Sequence, residues 1–156
     1  GSCVVHEQFK AEGIKTLKKS YPEAQVLVHP ESPAEVVALA DVVGSTTGLI
    51  QATLNPEVQE FIVATEPGIF YKMRQASPAK TFLEAPSGGL GGSCESCRRC
   101  PWMAMNGLRN LAQDLEPGAH EIIIADEICQ KALVPIQRMM DFAHNHQIVM
   151  KNKGNA

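Results

Sequence analysis

Aromatic side chains are scarce, with one Trp and two Tyr in 156 residues. The chain therefore lacks the ring platforms on which single-stranded nucleic acid stacks. Excess positive charge is also missing: the net charge is −3, so no basic field draws the chain to phosphate backbones or acidic lipid. No apolar run approaches the roughly 20 residues that span a bilayer. No secretory leader precedes Cys3, so the expected setting is cytoplasmic. What remains is 44% hydrophobic and 20% charged, the balance of a globular chain that can bury one core.

Five cysteines are present, and their placement matters more than their number. Cys94, Cys97 and Cys100 lie close together, Cys3 is far upstream and Cys129 stands apart. An odd count without a secretory context argues against a disulfide framework and favours metal or redox chemistry.

Short Val- and Ile-rich runs recur at Gln25–His29, Asp41–Gly44, Glu60–Ala64 and Lys80–Glu84. They do not alternate strictly, which predicts strands buried on both faces of a parallel sheet. The intervening stretches are long enough for helical crossovers, so residues 1–88 read as one αβα module of an α/β fold. Ser32-Pro-Ala-Glu35 predicts a helix start, with Ser32 as N-cap and Glu35 closing a capping box. A glycine-rich loop follows to Cys94. Beyond Cys100, Met105, Leu108, Leu111, Ala112 and Leu115 predict one helix face ending at Glu116-Pro-Gly118. His120–Ala125 reads as a strand, and Asp126 as the cap of a helix that Pro135 should break. Lys151–Ala156 reads as a disordered tail. One strand and two or three helices cannot make a sheet alone, so 89–156 should complete another αβα domain.

In open parallel sheets, ligands bind beyond the carboxyl ends of the strands. The reactive residues just after the apolar runs are His29 and Glu31, then Ser45, Thr46 and Thr47, then Thr65 and Glu66. His29-Pro-Glu31 pairs an imidazole that titrates near neutrality with a carboxylate; its bland reading is a polar strand end. Gly44-Ser-Thr-Thr-Gly48 could present N–H and hydroxyl donors to a phosphate or carboxylate, or be an ordinary N-cap. Cys3-Val-Val-His6 places an imidazole one helical turn after a thiol, so both can face one cavity. The run Cys94-x-x-Cys97-x-x-Cys100-Pro101 suits an iron–sulfur cluster, a zinc site with Cys3 or a His as fourth ligand, or a redox dithiol. Cys129 reads as a core residue.

Taken together, several stretches resemble the quinolinate synthase family. They are Cys3-Val-Val-His6, Val28-His-Pro-Glu31, Val43-Gly-Ser45-Thr46-Thr-Gly48 and Ile62-Val-Ala-Thr-Glu66-Pro-Gly-Ile69, then Leu83-Glu-Ala-Pro86, the cysteine-rich run through Gly107, and Ala132-Leu-Val-Pro135. The resemblance implies three similar αβα domains around a central cavity that holds a [4Fe–4S] cluster on three cysteines, one from each third of the chain. The implied reaction condenses iminoaspartate with dihydroxyacetone phosphate, with loss of phosphate and water, to give quinolinate for NAD synthesis.

Carried over residue by residue, the resemblance makes Cys3 and Cys100 cluster ligands and leaves Cys94 and Cys97 as a spare redox pair. It gives Glu31 and His6 proton-transfer roles, and gives His29, Ser45 and Thr46 roles in substrate binding. It implies a third ligand in an amino-terminal domain absent from this sequence, so the chain alone is expected to be inactive. L-Aspartate oxidase, the source of iminoaspartate, is a candidate partner. The alternative from residue chemistry is a non-catalytic iron–sulfur or zinc module. The strand-end His and Glu favour an enzyme, because an electron carrier needs no proton-transfer groups.

Overall fold

The computed structural model describes residues 3–87 and 99–146. Most of the glycine-rich loop, with Cys94 and Cys97, and the Lys151–Ala156 tail lie outside the described residues. The chain divides into two compact units, Gly1–Asn106 and Gly107–Ala156.

The first unit is built on a parallel sheet with strand order β2-β1-β3-β4. Its strands are β1 (Gln25–Val28), β2 (Val42–Val43), β3 (Glu60–Ala64) and β4 (Thr81–Glu84). Each falls within the apolar run that predicts it, and only β3 keeps that run's full length. Register pairs Leu27 with Val42 and Val63, and Ile62 with Leu83. Alternation along the strands then feeds two separate cores. On one face, Val26, Val28, Ile62 and Ala64 pack with Phe9, Ile14 of α1 (Ala11–Ser20) and Val36 of α2 (Ala34–Val37). On the other, Leu27, Phe61 and Val63 pack with Leu49 of α3 (Thr46–Ala52) and with Ile69, Phe70 and Met73 of α4 (Ile69–Ala76). The result is a three-layer αβα arrangement, as the doubly buried runs predict.

The chain leaves β1 toward β2 through α2, then crosses back over to β3 through α3. Right-handed crossovers in opposite directions put α2 and α3 on opposite faces. A crevice therefore opens beyond the carboxyl ends of β1 and β3. The amino-terminal segment is brought to this unit by burial of Val5 and Phe9 and by an antiparallel bridge from Phe9 to Ser87.

Several local expectations are corrected. Ser32 is not the N-cap of α2. Pro33 holds that position with ψ 145°, its carbonyl accepts from Val36 and Val37, and the Ser32 hydroxyl is buried without a partner. Proline supplies the pre-set φ, and the capping box is one residue out of register. The helix expected after Cys100 is interrupted, giving α5 (Pro101–Ala104) and α6 (Leu108–Asp114) with Asn106-Gly107 between them. Pro101 does occupy the first helical position, as its missing N–H favours.

His120–Ala125 is not a strand. Gly118 and His120 turn the chain with φ of 78° and 50°, and 121–125 pairs with no strand among the described residues. An isolated extended segment gains no ladder hydrogen bonds. The last helix, α7 (Asp126–Asn145), runs through Pro135 without a break, and Ala125 rather than Asp126 is its N-cap. Asp126 instead contributes negative charge to the first turn. Cys129 is half-buried, with Sγ 3.8 Å from the Ile124 carbonyl. No described helix is long and apolar enough to cross a membrane.

Candidate functional site

The site starts from the way β1 and β3 end. The His29 N–H still follows the ladder, donating to the Ala64 carbonyl at 3.2 Å. The chain then turns, with the Ser32 N–H returning to the His29 carbonyl at 3.0 Å. His29 and Glu31 are thereby held at the mouth of the crevice. One strand over, Thr65 and Glu66 follow β3, Thr65 buried and Glu66 half-buried. The Glu66 carboxylate turns back to accept the Gly68 N–H at 2.6 Å. A Cβ at Gly68 would lie 2.6 Å from that oxygen, so a side chain there would make the Glu66 carboxylate swing away from this hydrogen bond.

From the amino-terminal side, a 3-10 turn over His6–Gln8 carries an imidazole across the same crevice. His6 is 7% exposed, and its Nε2 lies 3.0 Å from Thr65 Oγ1. The rings of His6 and His29 stack with centroids 4.2 Å apart and planes at 14°. Glu31 Oε2 is 3.4 Å from His6 Nδ1 and 3.7 Å from His29 Nδ1. Cys3 completes the group: its Sγ, one nitrogen of His6 and one carboxylate oxygen of Glu31 lie within 4.8 Å of one another.

The electrostatics are those of two imidazoles sharing one partly exposed carboxylate. Burial pushes the His6 pKa below its ordinary 6.5, and the neighbouring His29 pushes it further down. Glu31 and Glu66 oppose that shift without overcoming it. His6 is therefore a neutral imidazole near pH 7, able to donate from one nitrogen and accept or ligate through the other.

Cys3, His6, His29 and Glu31, named from separate sequence stretches, are brought together. Ser45 and Thr46 lie at the carboxyl end of β2, where Ser45 is the N-cap of α3 and its Oγ accepts the Gly48 N–H at 3.3 Å. Both side chains are exposed on the same sheet edge. Cys100 is half-buried as the N-cap residue of α5 and is not in the three-donor group around Cys3. The partnership of Thr65 with His6 is not readable from sequence, because 59 residues separate them. Only the position of Thr65 after a strand marks it.

The donor chemistry fits an iron–sulfur centre as far as these residues extend. Cys3 and Cys100 are free, half-buried thiols rather than halves of a disulfide. Thiolates in such partly buried settings are the ligands that clusters use. This sheet edge, with its free thiol, stacked histidines and shared carboxylate, agrees with the finding that the model of the quinolinate synthetase A protein family matches residues 1–141, and the chain belongs to that family.

Proposed function

We propose that this chain supplies the strand-edge half of a quinolinate-forming site, acting on iminoaspartate and dihydroxyacetone phosphate. The observation that supports this most is the assembly of His6, His29 and Glu31 beside Cys3 at the ends of β1 and β3. A condensation that closes a ring and expels phosphate and water needs protons taken from carbon and nitrogen and given to leaving oxygens. Glu31 is the group for that exchange. It is exposed enough to meet a substrate, and His6 and His29 both lie near its Oε2 to hold its orientation.

His29, half-buried at the crevice mouth, offers a ring N–H to a carboxylate or phosphoryl oxygen. Ser45 and Thr46 add hydroxyl donors, and the free N–H groups at the start of α3 favour anions. His6, fixed by Thr65 and stacked on His29, positions the pair and passes a proton as a neutral base. Cys3 and Cys100 are the thiolates that would hold a [4Fe–4S] cluster. Bound there, such a cluster supplies Lewis acidity at an iron not held by cysteine. In this reading, residues 89–156 carry Cys100 and complete a further αβα domain, and Cys94 and Cys97 form a dithiol outside the cluster.

Anaerobic reconstitution with iron and sulfide tests the assignment in an enzyme that also supplies the third thiolate, outside this sequence. Cys3→Ser and Cys100→Ser should each abolish the cluster's broad visible absorbance, while Cys94→Ser and Cys97→Ser should leave it. The opposite pattern would place the metal on the local cysteine run and favour the non-catalytic module. In cluster-loaded enzyme that forms quinolinate, Glu31→Gln should lower kcat by about 10²–10⁴-fold, as for loss of a general acid–base.

A further inference from the structure

Another concavity lies on the far side of the sheet from β2, between α4 and the edge strand β4. It is lined by Pro67, Phe70, Arg74, Phe82, Glu84 and Arg99. All six belong to the first compact unit, and none is among the residues gathered at the crevice between β1 and β3. The cavity measures about 220 Å³, below the roughly 300–1,000 Å³ of sites that take drug-sized ligands. It has room for a small ion or a short ester.

Two guanidiniums in this cavity have no acidic partner. The chain carries 17 Asp and Glu against 14 Lys and Arg, so acids are in surplus. Even so, among the described residues neither the Arg74 nor the Arg99 guanidinium is in an ion pair. Glu84, which has an interaction of its own, offsets one of the two charges and leaves the cavity net positive.

The walls that hold these cations are fixed before any ligand arrives. Phe70 is 6% exposed and belongs to the core shared by α3 and α4. The Arg74 guanidinium lies over its ring, 5.5 Å from the centroid, within the range of a cation–π contact. That contact uses the flat face of the guanidinium and leaves its in-plane N–H donors free. Phe82, stacked on Phe61 with centroids 5.7 Å apart, is a second fixed wall. A cation held in place beforehand loses less freedom on binding.

The geometry points to a binding site for a phosphoryl dianion, held between the guanidiniums of Arg74 and Arg99. Planar N–H forks meet phosphate oxygens two at a time, which a point charge does not. Two such forks offer more donors than the two oxygens of a carboxylate take up, and a phosphoryl group presents three. The ligand is inorganic phosphate or a short phosphate monoester, which share this chemistry. The site is separate from the one proposed for the substrates and does not depend on a cluster.

The experiment titrates the full chain carrying His29→Gln and Ser45→Ala, so that the crevice does not account for binding. Phosphorus NMR follows inorganic phosphate and methyl phosphate at constant ionic strength. The expected result is one saturable site per chain. Arg74→Gln and Arg99→Gln should each weaken it by about 10–100-fold, as for loss of hydrogen bonds to a charged group. Lys72→Gln removes the same charge from α4 outside the cavity and should leave the affinity unchanged. Methyl phosphate binding at least as tightly as inorganic phosphate identifies the monoester as the ligand, and the reverse order identifies the free ion.

No saturable binding, or binding that Lys72→Gln weakens as much as Arg74→Gln, would overturn the inference. Both arginines are exposed, and circular dichroism checks that each variant folds. Should Arg74→Gln loosen α4, Arg99→Gln decides, because Arg99 lies outside every described helix. Undiminished binding in that variant refutes the site. Phosphate bound only while His29 and Ser45 are intact sinks this inference and leaves the crevice reading standing.

Discussion

His6 is surrounded by groups of both signs: His29 stacks on it, Glu31 approaches its Nδ1, Glu66 lies further off and the Cys3 thiol is adjacent. Its folded-state pKa lies below 6.5, mainly because it is buried. In the unfolded chain it returns to the ordinary value. As pH falls below about 6.5, the unfolded state takes up a proton that the folded state resists, so stability falls until the folded pKa is passed. Above that window His6 costs nothing through this route. The urea midpoint should therefore drop between about pH 7.5 and pH 5.5, and drop less in His6→Gln. An equal drop in both proteins would assign the acid sensitivity to other groups. At the same scale, Phe61 is fully buried on the face covered by α3 and α4. Phe61→Ala should cost about 3–5 kcal/mol, measured by the same unfolding curves.

Among the elements, α3 is the one whose start carries function and stability together. Ser45 Oγ accepts from the Gly48 N–H, so Ser45→Ala should lower stability by about 1 kcal/mol, while Ser45→Asn should restore most of it. If Ser45 also binds a substrate oxygen, Ser45→Asn in cluster-loaded enzyme should raise KM although stability is recovered. That split separates the cap from the binding role. In α7, Pro135 lies inside a continuous helix of 20 residues and lacks the N–H that would reach back one turn. Pro135→Ala should stabilise this helix by up to about 3 kcal/mol, seen as slower amide exchange around Lys131–Met139. Faster exchange there would mean that the helix needs its proline.

At the level of the whole molecule, the two units differ in how they treat apolar side chains. The sheet unit buries Phe9, Ile14, Leu27, Leu49, Phe61 and Met73 almost completely. In the unit from Gly107 onward, Leu108, Leu115, Ile122, Ile123, Met139 and Phe142 are all more than half exposed. Exposed apolar surface on this scale drives association in water. Sedimentation should show concentration-dependent self-association, reduced by the pair Ile123→Lys and Met139→Lys. Association unchanged by that pair would place the sticky surface elsewhere.

The strands were legible because a parallel strand buried on both faces needs a continuous apolar run, and Glu60–Ala64 shows that run at its full length. The reactive residues after each run were legible for a related reason, since parallel strands all deliver their carboxyl ends to one edge. His120–Ala125 suits a strand by composition alone, which says that a segment can be extended, not that a neighbouring strand exists to pair with it. The cap of α2 falls on Pro33 rather than Ser32 because both residues suit a helix start, and only backbone geometry chooses between them.

By itself, then, the sequence determined the αβα class, the edge where chemistry collects, and which cysteines, histidines and carboxylates are available there. These follow from local patterning and from the handedness of crossovers. Tertiary structure alone decided that His6 meets Thr65 across 59 residues, stacks on His29 and shares Glu31 with it. It also decided that His6 Nδ1 lies buried, 3.4 Å from Glu31 and beside a thiol. Such facts depend on distances between segments far apart in the chain, and periodicity within any one segment carries no record of them.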